Sequence, residues 1–291
     1  MEKNIGFIGI GVMGKSMASN LMDAGYTLHI YTRTKSKADD LIAKGAVWQD
    51  SIKDIAENCD VVMTMVGYPS DVEDVYFNSD YGILNHHKGG AILIDFTTST
   101  PSLAEKIYDA AKKSGANSID APVSGGDIGA KNAALTIMCG GDQDVFDKCV
   151  PMFEKLGKNV VLQGGAGCGQ HCKMSNQIAI AASMVGMCES IAYAKKAGLD
   201  PETVLKSISA GSAGSWSLSN YTPRILKDDF EPGFYIKHFV KDMKIALDEA
   251  KRMNLDLPGL ALAKSLYETL ENDGLGDNGT QALFKWYQRQ L

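Results

Sequence analysis

The chain has 291 residues, 45% of them hydrophobic and 22% charged, the make-up of a packed globular protein of two unequal domains rather than a disordered one. A formal net charge of -6 leaves no field to gather nucleic acid or anionic membrane, so neither is an expected partner. Six cysteines (Cys59, Cys139, Cys149, Cys168, Cys172, Cys188) form no CxxC pair and no metal-finger spacing, which reads as buried thiols in a reducing compartment and no metal site.

Met1 to Asn4 lead directly into a strand pattern, so no secretory leader is expected. The most apolar stretch, Ile178 to Cys188, falls short of the ~20 residues that span a bilayer. Cytoplasm is the expected location.

Asn4 to Ile8 reads as a strand, followed by the turn Gly9-Ile10-Gly11-Val12-Met13-Gly14 and a helical pattern with Met13, Met17, Leu21 and Met22 inward, closed by Gly25. Thr27 to Tyr31 is a second strand and Ser36 to Lys44 a second helix, which makes a βαβα unit with a parallel sheet expected. Val61 to Val66, Ala91 to Asp95, Asn117 to Ala121, Leu135 to Cys139 and Val160 to Leu162 continue the strands. Pro101 to Ser114 and Asp142 to Leu156 read as helices, the first with proline in its first turn and the second with Asp142 as N-cap.

The pattern changes at Gly164-Gly165-Ala166-Gly167-Cys168-Gly169, after which a helix without a breaker runs from about Gln170 to Ala197. At ~1.5 Å per residue it would be roughly 40 Å long. Only helices follow: Pro201 to Ala210 with Asp200 as N-cap, Lys241 to Arg252, Gly259 to Glu271 and Thr280 to Arg289. The expected fold is α/β, a doubly wound Rossmann-type domain over 1–163 and an all-α substrate and oligomerisation domain over 164–291, joined by that helix. Its apolar surface exceeds what a small helical domain covers, which predicts a homo-oligomer, dimer or tetramer.

GxGxxG is weak alone, but here it follows a strand, opens a helix and sits in a βαβ unit, the context of a dinucleotide site. Gly9 permits the tight turn, Gly11 lets the backbone approach a pyrophosphate, Gly14 lets helix pack on strand, and Val12 and Met13 complete the turn. Where an acidic residue would take the ribose hydroxyls of NAD, this chain has Thr32-Arg33-Thr34-Lys35. Arg33 can pair with the 2′-phosphate of NADP and the two threonines can hydrogen-bond it, so NADP is favoured and NAD is the alternative. Otherwise Arg33 and Lys35 are merely a solvated turn.

Loops at Met65-Val66-Gly67-Tyr68-Pro69 and Asp95-Phe96-Thr97-Thr98-Ser99 fall at carboxyl ends of strands, the ligand face of such a sheet, or serve only as turns. Asp120-Ala121-Pro122-Val123-Ser124-Gly125-Gly126 ends a strand with a hydroxyl and open backbone N–H groups, which suits a substrate carboxylate or simply makes a tight turn.

On the long helix Lys173 shares a face with Gln170, Asn176 and Gln177. A lysine among amides after a glycine hinge, if partly desolvated, can act as general acid or base. His171 and Cys172 face elsewhere and are given no role.

The Gly6-to-Gly14 turn, the Asp120-to-Gly126 segment, Gly169 to Asn176 with Lys173, and Lys241-Asp242 together resemble the β-hydroxyacid dehydrogenases, over essentially the whole chain. That group includes 3-hydroxyisobutyrate dehydrogenase, tartronate semialdehyde reductase and the glyoxylate/succinic semialdehyde reductases, with 6-phosphogluconate dehydrogenase more distant. The resemblance implies that Lys173 is the catalytic lysine, protonating the carbonyl oxygen in reduction. It implies that Ser124, Gly125 and Gly126 hold the substrate carboxylate, Thr98 stands beside the nicotinamide, and Lys241 reaches the cofactor site. Asn176 matches a substrate-side amide.

Gln177 departs from the second asparagine of several members, which weakens an assignment to 3-hydroxyisobutyrate. By the same resemblance Ser212 to Trp216 lies near the substrate's variable end, where Trp216 closes the pocket or is a core or dimer-contact residue. The expected function is reversible hydride transfer between NADPH and the carbonyl of a small carboxylate-bearing aldehyde or ketone. An imine reductase, a decarboxylating sugar-phosphate dehydrogenase or a non-catalytic dinucleotide module are the rivals; Lys173 speaks against the first and the short helical half against the second.

Overall fold

The computed structural model describes residues 4–291; Met1 to Lys3 lie outside the described residues. The chain divides into two compact units, one reaching to Lys173 and the other Met174–Leu291, so the division falls inside the long helix.

The first unit is built on one sheet. Its strands are β1 (Ile5–Ile8), β2 (Leu28–Tyr31), β3 (Val47–Trp48), β4 (Val61–Thr64), β5 (Ile92–Asp95), β6 (Asn117–Asp120), β7 (Val123–Ser124), β8 (Leu135–Gly141) and β9 (Gly157–Gly164). Their order is β3-β2-β1-β4-β5-β6-β8-β7, with β9 also on β8. From β3 to β6 all neighbours are parallel, as the alternation of strands and helices requires. Beyond β6 the sheet is mixed: β8 runs antiparallel to both β6 and β7. The chain keeps its direction from β6 into β7, both antiparallel to β8, and reverses between Ser124 and Leu135, where Gly125, Gly126 and the short helix Gly126–Lys131 turn it back along the sheet.

Both faces of the sheet are buried, and the two-residue period divides the apolar side chains between them. Phe7, Met63 and Ile94 pack with Met17 and Leu21 of the helix Val12–Asp23. Ile8, Val62 and Leu93 pack on the other face with Ile55, Tyr76 and Ile107. Sequence order reverses between β1 and β4, the switch point at which an open α/β sheet leaves a crevice beyond its strand ends.

Among the helices, Asp142 stands at the N-cap position of Gln143–Phe153, yet its side chain makes no cap bond. It accepts from the Tyr108 hydroxyl at 2.7 Å and pairs with Lys112 at 2.6 Å, partners that outbid the backbone amides. Asp200 does cap its helix, accepting from the Thr203 amide at 3.0 Å.

The long helix is Cys168–Lys196, 29 residues. It contains an 18-residue window of mean hydropathy 1.3 and is long and apolar enough to cross a membrane, which the shorter count over Ile178 to Cys188 missed. Its Met174, Met184, Cys188 and Ile191 are buried in the apolar core of the second unit with Phe239, Met243 and Tyr267. That unit is helical throughout, with Pro201–Ser209, Trp216–Ile225, Ile236–Arg252 and Pro258–Leu270 as its other main α-helices.

Candidate active site

The glycine turn lies at the switch point. Gly9 has φ +101°, and a side chain there would overlap the Met65 carbonyl, so only glycine lets β1 pass the loop after β4. A side chain on Gly14 would strike the Gly9 carbonyl oxygen and stand 3.1 Å from the Phe7 ring. At Gly11 a Cβ would meet nothing within 4 Å. Gly11 is the N-cap of the helix Val12–Asp23, whose first turn holds no acidic residue, so its free N–H groups face open space suited to a phosphate. Val12 is exposed and Met13 half-buried beside them.

After β2 the chain carries Thr32, half-buried, and the exposed Arg33 and Thr34. Arg33 is held: its guanidinium donates to the Asp71 carboxylate at 3.2 Å, while 81% of the side chain stays exposed. The other Asp71 oxygen accepts from the Tyr68 amide at 3.0 Å and caps the helix Pro69–Phe77. Lys35 lies over the Trp48 ring, 4.9 Å from its centroid. The turn is therefore anchored at both cations.

The loops after β4 and β5 are tied together. Asp95 accepts from the Thr64 hydroxyl at 2.8 Å and the Thr97 amide at 3.0 Å, and the Thr97 hydroxyl accepts from the Val66 amide at 3.0 Å. Met65, Val66 and Thr98 are thereby presented half-buried at the strand ends, while Thr97 and Ser99 are buried. Burial, with the Asp95 charge adding to it, pushes the fully buried Tyr76 hydroxyl beside this network well above its ordinary value.

Lys173 is 6% exposed, and its ammonium donates to the Val123 carbonyl at 2.9 Å. Ser124, next in the chain, belongs to the short strand β7 and pairs with Thr136. Gly125 (φ +132°) and Gly126 (φ +64°) then turn the chain into the helix Gly126–Lys131, so part of the expected open nest is a helix start. The first unit thus brings together the glycine turn, the β4 and β5 loops, the Ser124 turn and Lys173.

The second unit carries the remaining candidates. Asn176 donates to Gln177 at 2.8 Å, and Gln177 donates to Asp242 at 2.7 Å. Lys241 stands 3.1 Å from the other Asp242 oxygen, the two side chains 13% and 2% exposed. Burial and the nearby Lys241 charge lower the His238 imidazole one turn earlier. Trp216 is 65% exposed and stacks edge-on with Tyr221, which removes the core reading. Of the cysteines, Cys168 and Cys172 are only half-buried, against expectation; all six are free.

Asp71, Asp95 and Asp242 organise these groups without having been assigned a role from the sequence. Asp95 ends β5 and Asp242 follows Lys241, whereas Asp71 is the third residue of the helix Pro69–Phe77, where an acid in the first turn is its only signal.

Residues 4–165 match the family described as the NAD binding domain of 6-phosphogluconate dehydrogenase, and 167–287 the NAD-binding domain of NADP-dependent 3-hydroxyisobutyrate dehydrogenase. The chain belongs to the β-hydroxyacid dehydrogenases. These are NAD(P)-dependent oxidoreductases.

An uncharacterised oxidoreductase of Bacillus subtilis is 59% identical over 285 residues, covering 98% of this chain and 99% of its own. A probable mitochondrial 3-hydroxyisobutyrate dehydrogenase-like protein of Arabidopsis thaliana is 52% identical, covering 98% and 85%. Among solved dehydrogenase structures, 3-hydroxyisobutyrate dehydrogenase of Mycobacterium tuberculosis with L-serine superposes with a TM-score of 0.90 at 27% identity, covering 98% and 99% of the two chains.

Proposed function

We propose that the chain interconverts a small carboxylate-bearing aldehyde or ketone and the corresponding hydroxyacid, with NADPH as hydride donor and Lys173 as general acid and base. The observation that carries this reading is the buried Lys173 ammonium, held on the Val123 carbonyl directly beside the Ser124-Gly125-Gly126 turn.

The residues present fit a dinucleotide. Gly9, Gly11, Val12, Met13 and Gly14 would receive the pyrophosphate, and Met65, Val66, Thr98 and Lys241 the nicotinamide half. Bound, the cofactor supplies a hydride to the carbonyl carbon or takes one back. In reduction Lys173 gives its proton to the carbonyl oxygen; in oxidation it removes the hydroxyl proton, and exchange with water restores it. Ser124, Gly125 and Gly126 fix the carboxylate, with Asn176 and Gln177 on the substrate side, so that the reacting carbon is held in one orientation.

The exposed guanidinium of Arg33, flanked by Thr32 and Thr34 and braced by Asp71, supports NADP over NAD. The exposed Tyr193, Leu199, Met253 and Leu262 of the helical unit support a homo-oligomer. We further place the protein in the cytoplasm, away from membranes and nucleic acid, with the dinucleotide-binding domain closing at residue 163.

A panel of glyoxylate, succinic semialdehyde, tartronate semialdehyde and methylmalonate semialdehyde, followed by NADPH absorbance, tests the reading. At least one is expected to be reduced. Tight cofactor binding with no turnover of any of them would instead favour a dinucleotide sensor.

A further inference from the structure

Asp120, the last residue of β6, is 4% exposed and carries no role in the function above. Its carboxylate reaches the start of the long helix. One oxygen accepts from the Gly167 amide at 2.8 Å and the other from the Gln170 amide at 2.9 Å. Amides in a helix's first turn have no acceptor within the helix, and here a strand-end carboxylate supplies one.

Two glycines make the room. A Cβ on Gly140 would stand 2.5 Å from one carboxylate oxygen, and one on Gly169 2.7 Å from the other. Gln170, fully buried, fixes the same turn to β5: it donates to the Thr97 carbonyl at 2.7 Å and accepts from the Ser99 amide at 3.0 Å.

Lys173 follows on the next turn. Its acceptor, the Val123 carbonyl, lies three residues beyond Asp120 on the other strand of the connection. Both ends of the Lys173 contact therefore hang from Asp120, one through the helix and one through the chain. Without it the helix start would keep only the Gln170 tie to β5, one residue beyond the glycine stretch 164–169.

We propose that Asp120 is a positioning residue, whose buried carboxylate fixes where the Lys173 ammonium stands during proton transfer. This rests on the reading of Lys173 given above.

The carboxylate also titrates in a useful range. Burial pushes it up to about 6, against the pull of the Gly167 and Gln170 amides. Facing it are Asp95, its register partner on β5, and the Cys139 thiol on β8; the titratable groups on the first turns of the long helix are Cys168, His171, Cys172 and Lys173. Protonation turns an acceptor into a hydroxyl donor facing an N–H, so anchoring weakens as pH falls through that value. A carboxyl whose folded value is raised binds its proton more tightly in the folded than in the unfolded chain, so this group does not drive unfolding on acidification.

Asp120→Asn keeps the shape but aims an NH2 at one of the two amides. Its kcat should fall on the order of 10–100-fold, the scale of a small misplacement of a reacting group. NADPH affinity should stay within about twofold, well under the 1.4 kcal/mol of a tenfold change. The double variant Asp120→Asn/Lys173→Ala should be no slower than Lys173→Ala alone, because Asp120 acts through the lysine. Independent, multiplying losses would overturn the proposal, as would unchanged kcat in Asp120→Asn while Lys173→Ala is inactive. A fully active Lys173→Ala would instead remove the reading beneath it.

Should Asp120→Asn not fold, the wild-type protein decides. The amide proton resonances of Gly167 and Gln170 should titrate together near pH 6, and kcat should fall through the same inflection. Flat amide resonances, or a kcat limb that does not follow them, would overturn the proposal.

Discussion

The two glycines that flank the start of the first helix should fail in opposite ways when each becomes alanine. In Gly14→Ala the new methyl has no space: it overlaps the Gly9 carbonyl oxygen and presses on the Phe7 ring at 3.1 Å. The helix must lift from β1 in a packed core, an overpacking cost of about 1–3 kcal/mol. At about 2–4 °C per kcal/mol for a chain of this class, Tm should drop by several degrees. Gly11→Ala meets nothing within 4 Å and has an extended backbone, φ -87° and ψ -166°, that alanine adopts freely. Its loss as an N-cap, about 1 kcal/mol, is offset by about 0.4–1 kcal/mol from the stiffer unfolded chain, so stability stays near wild type. The methyl does occupy the space where a pyrophosphate would approach, and NADPH affinity should fall at least about tenfold, or 1.4 kcal/mol. Thermal unfolding and fluorescence titration with NADPH separate the two. A Gly11→Ala protein that binds NADPH like wild type would refute the placement of the pyrophosphate at this turn.

Arg33→Ala should weaken NADPH by about 1.5–3 kcal/mol, the value of a hydrogen bond to a charged group, and leave NADH nearly unchanged; equal losses for both cofactors in a binding titration would show that Arg33 does not read the 2′-phosphate. Gln177→Leu removes the donor to the buried Asp242 carboxylate and should cost about 1–3 kcal/mol in urea unfolding; an unchanged midpoint would mean that the carboxylate finds another donor. Burial pushes the Cys59 thiol up to about 12 and raises Cys139 and Cys188 as well, whereas Cys168 and Cys172 are half-buried. Alkylation of the native protein, followed by peptide mass analysis, should label those two first; early labelling of Cys59 would contradict the burial.

The sheet was legible because its strands are short apolar runs punctuated by glycine and because GxGxxG sits in the only local context that gives it meaning. Trp216–Ile225 escaped notice: Pro223 and three serines or threonines disguise a helix whose buried Leu218 and Ile225 come from tertiary packing. The antiparallel course of β8 was hidden because Gly125 and Gly126, which follow β7, mark a reversal without saying which way the chain goes on. Lys173 and its amide neighbours could be read from helical spacing alone. Asp120 could not, since its partners lie 47 and 50 residues further along, and only the folded sheet brings a strand end to a helix start. The bracing of Arg33 by Asp71 is of the same kind.

The central claim is that Lys173 moves the proton. Turnover of Lys173→Ala, measured with the best substrate of the semialdehyde panel alongside its NADPH affinity, tests it most directly. The account predicts kcat lower by about 10²–10⁴-fold, the range of a lost general acid, with cofactor affinity retained. Wild-type turnover in that variant would contradict it.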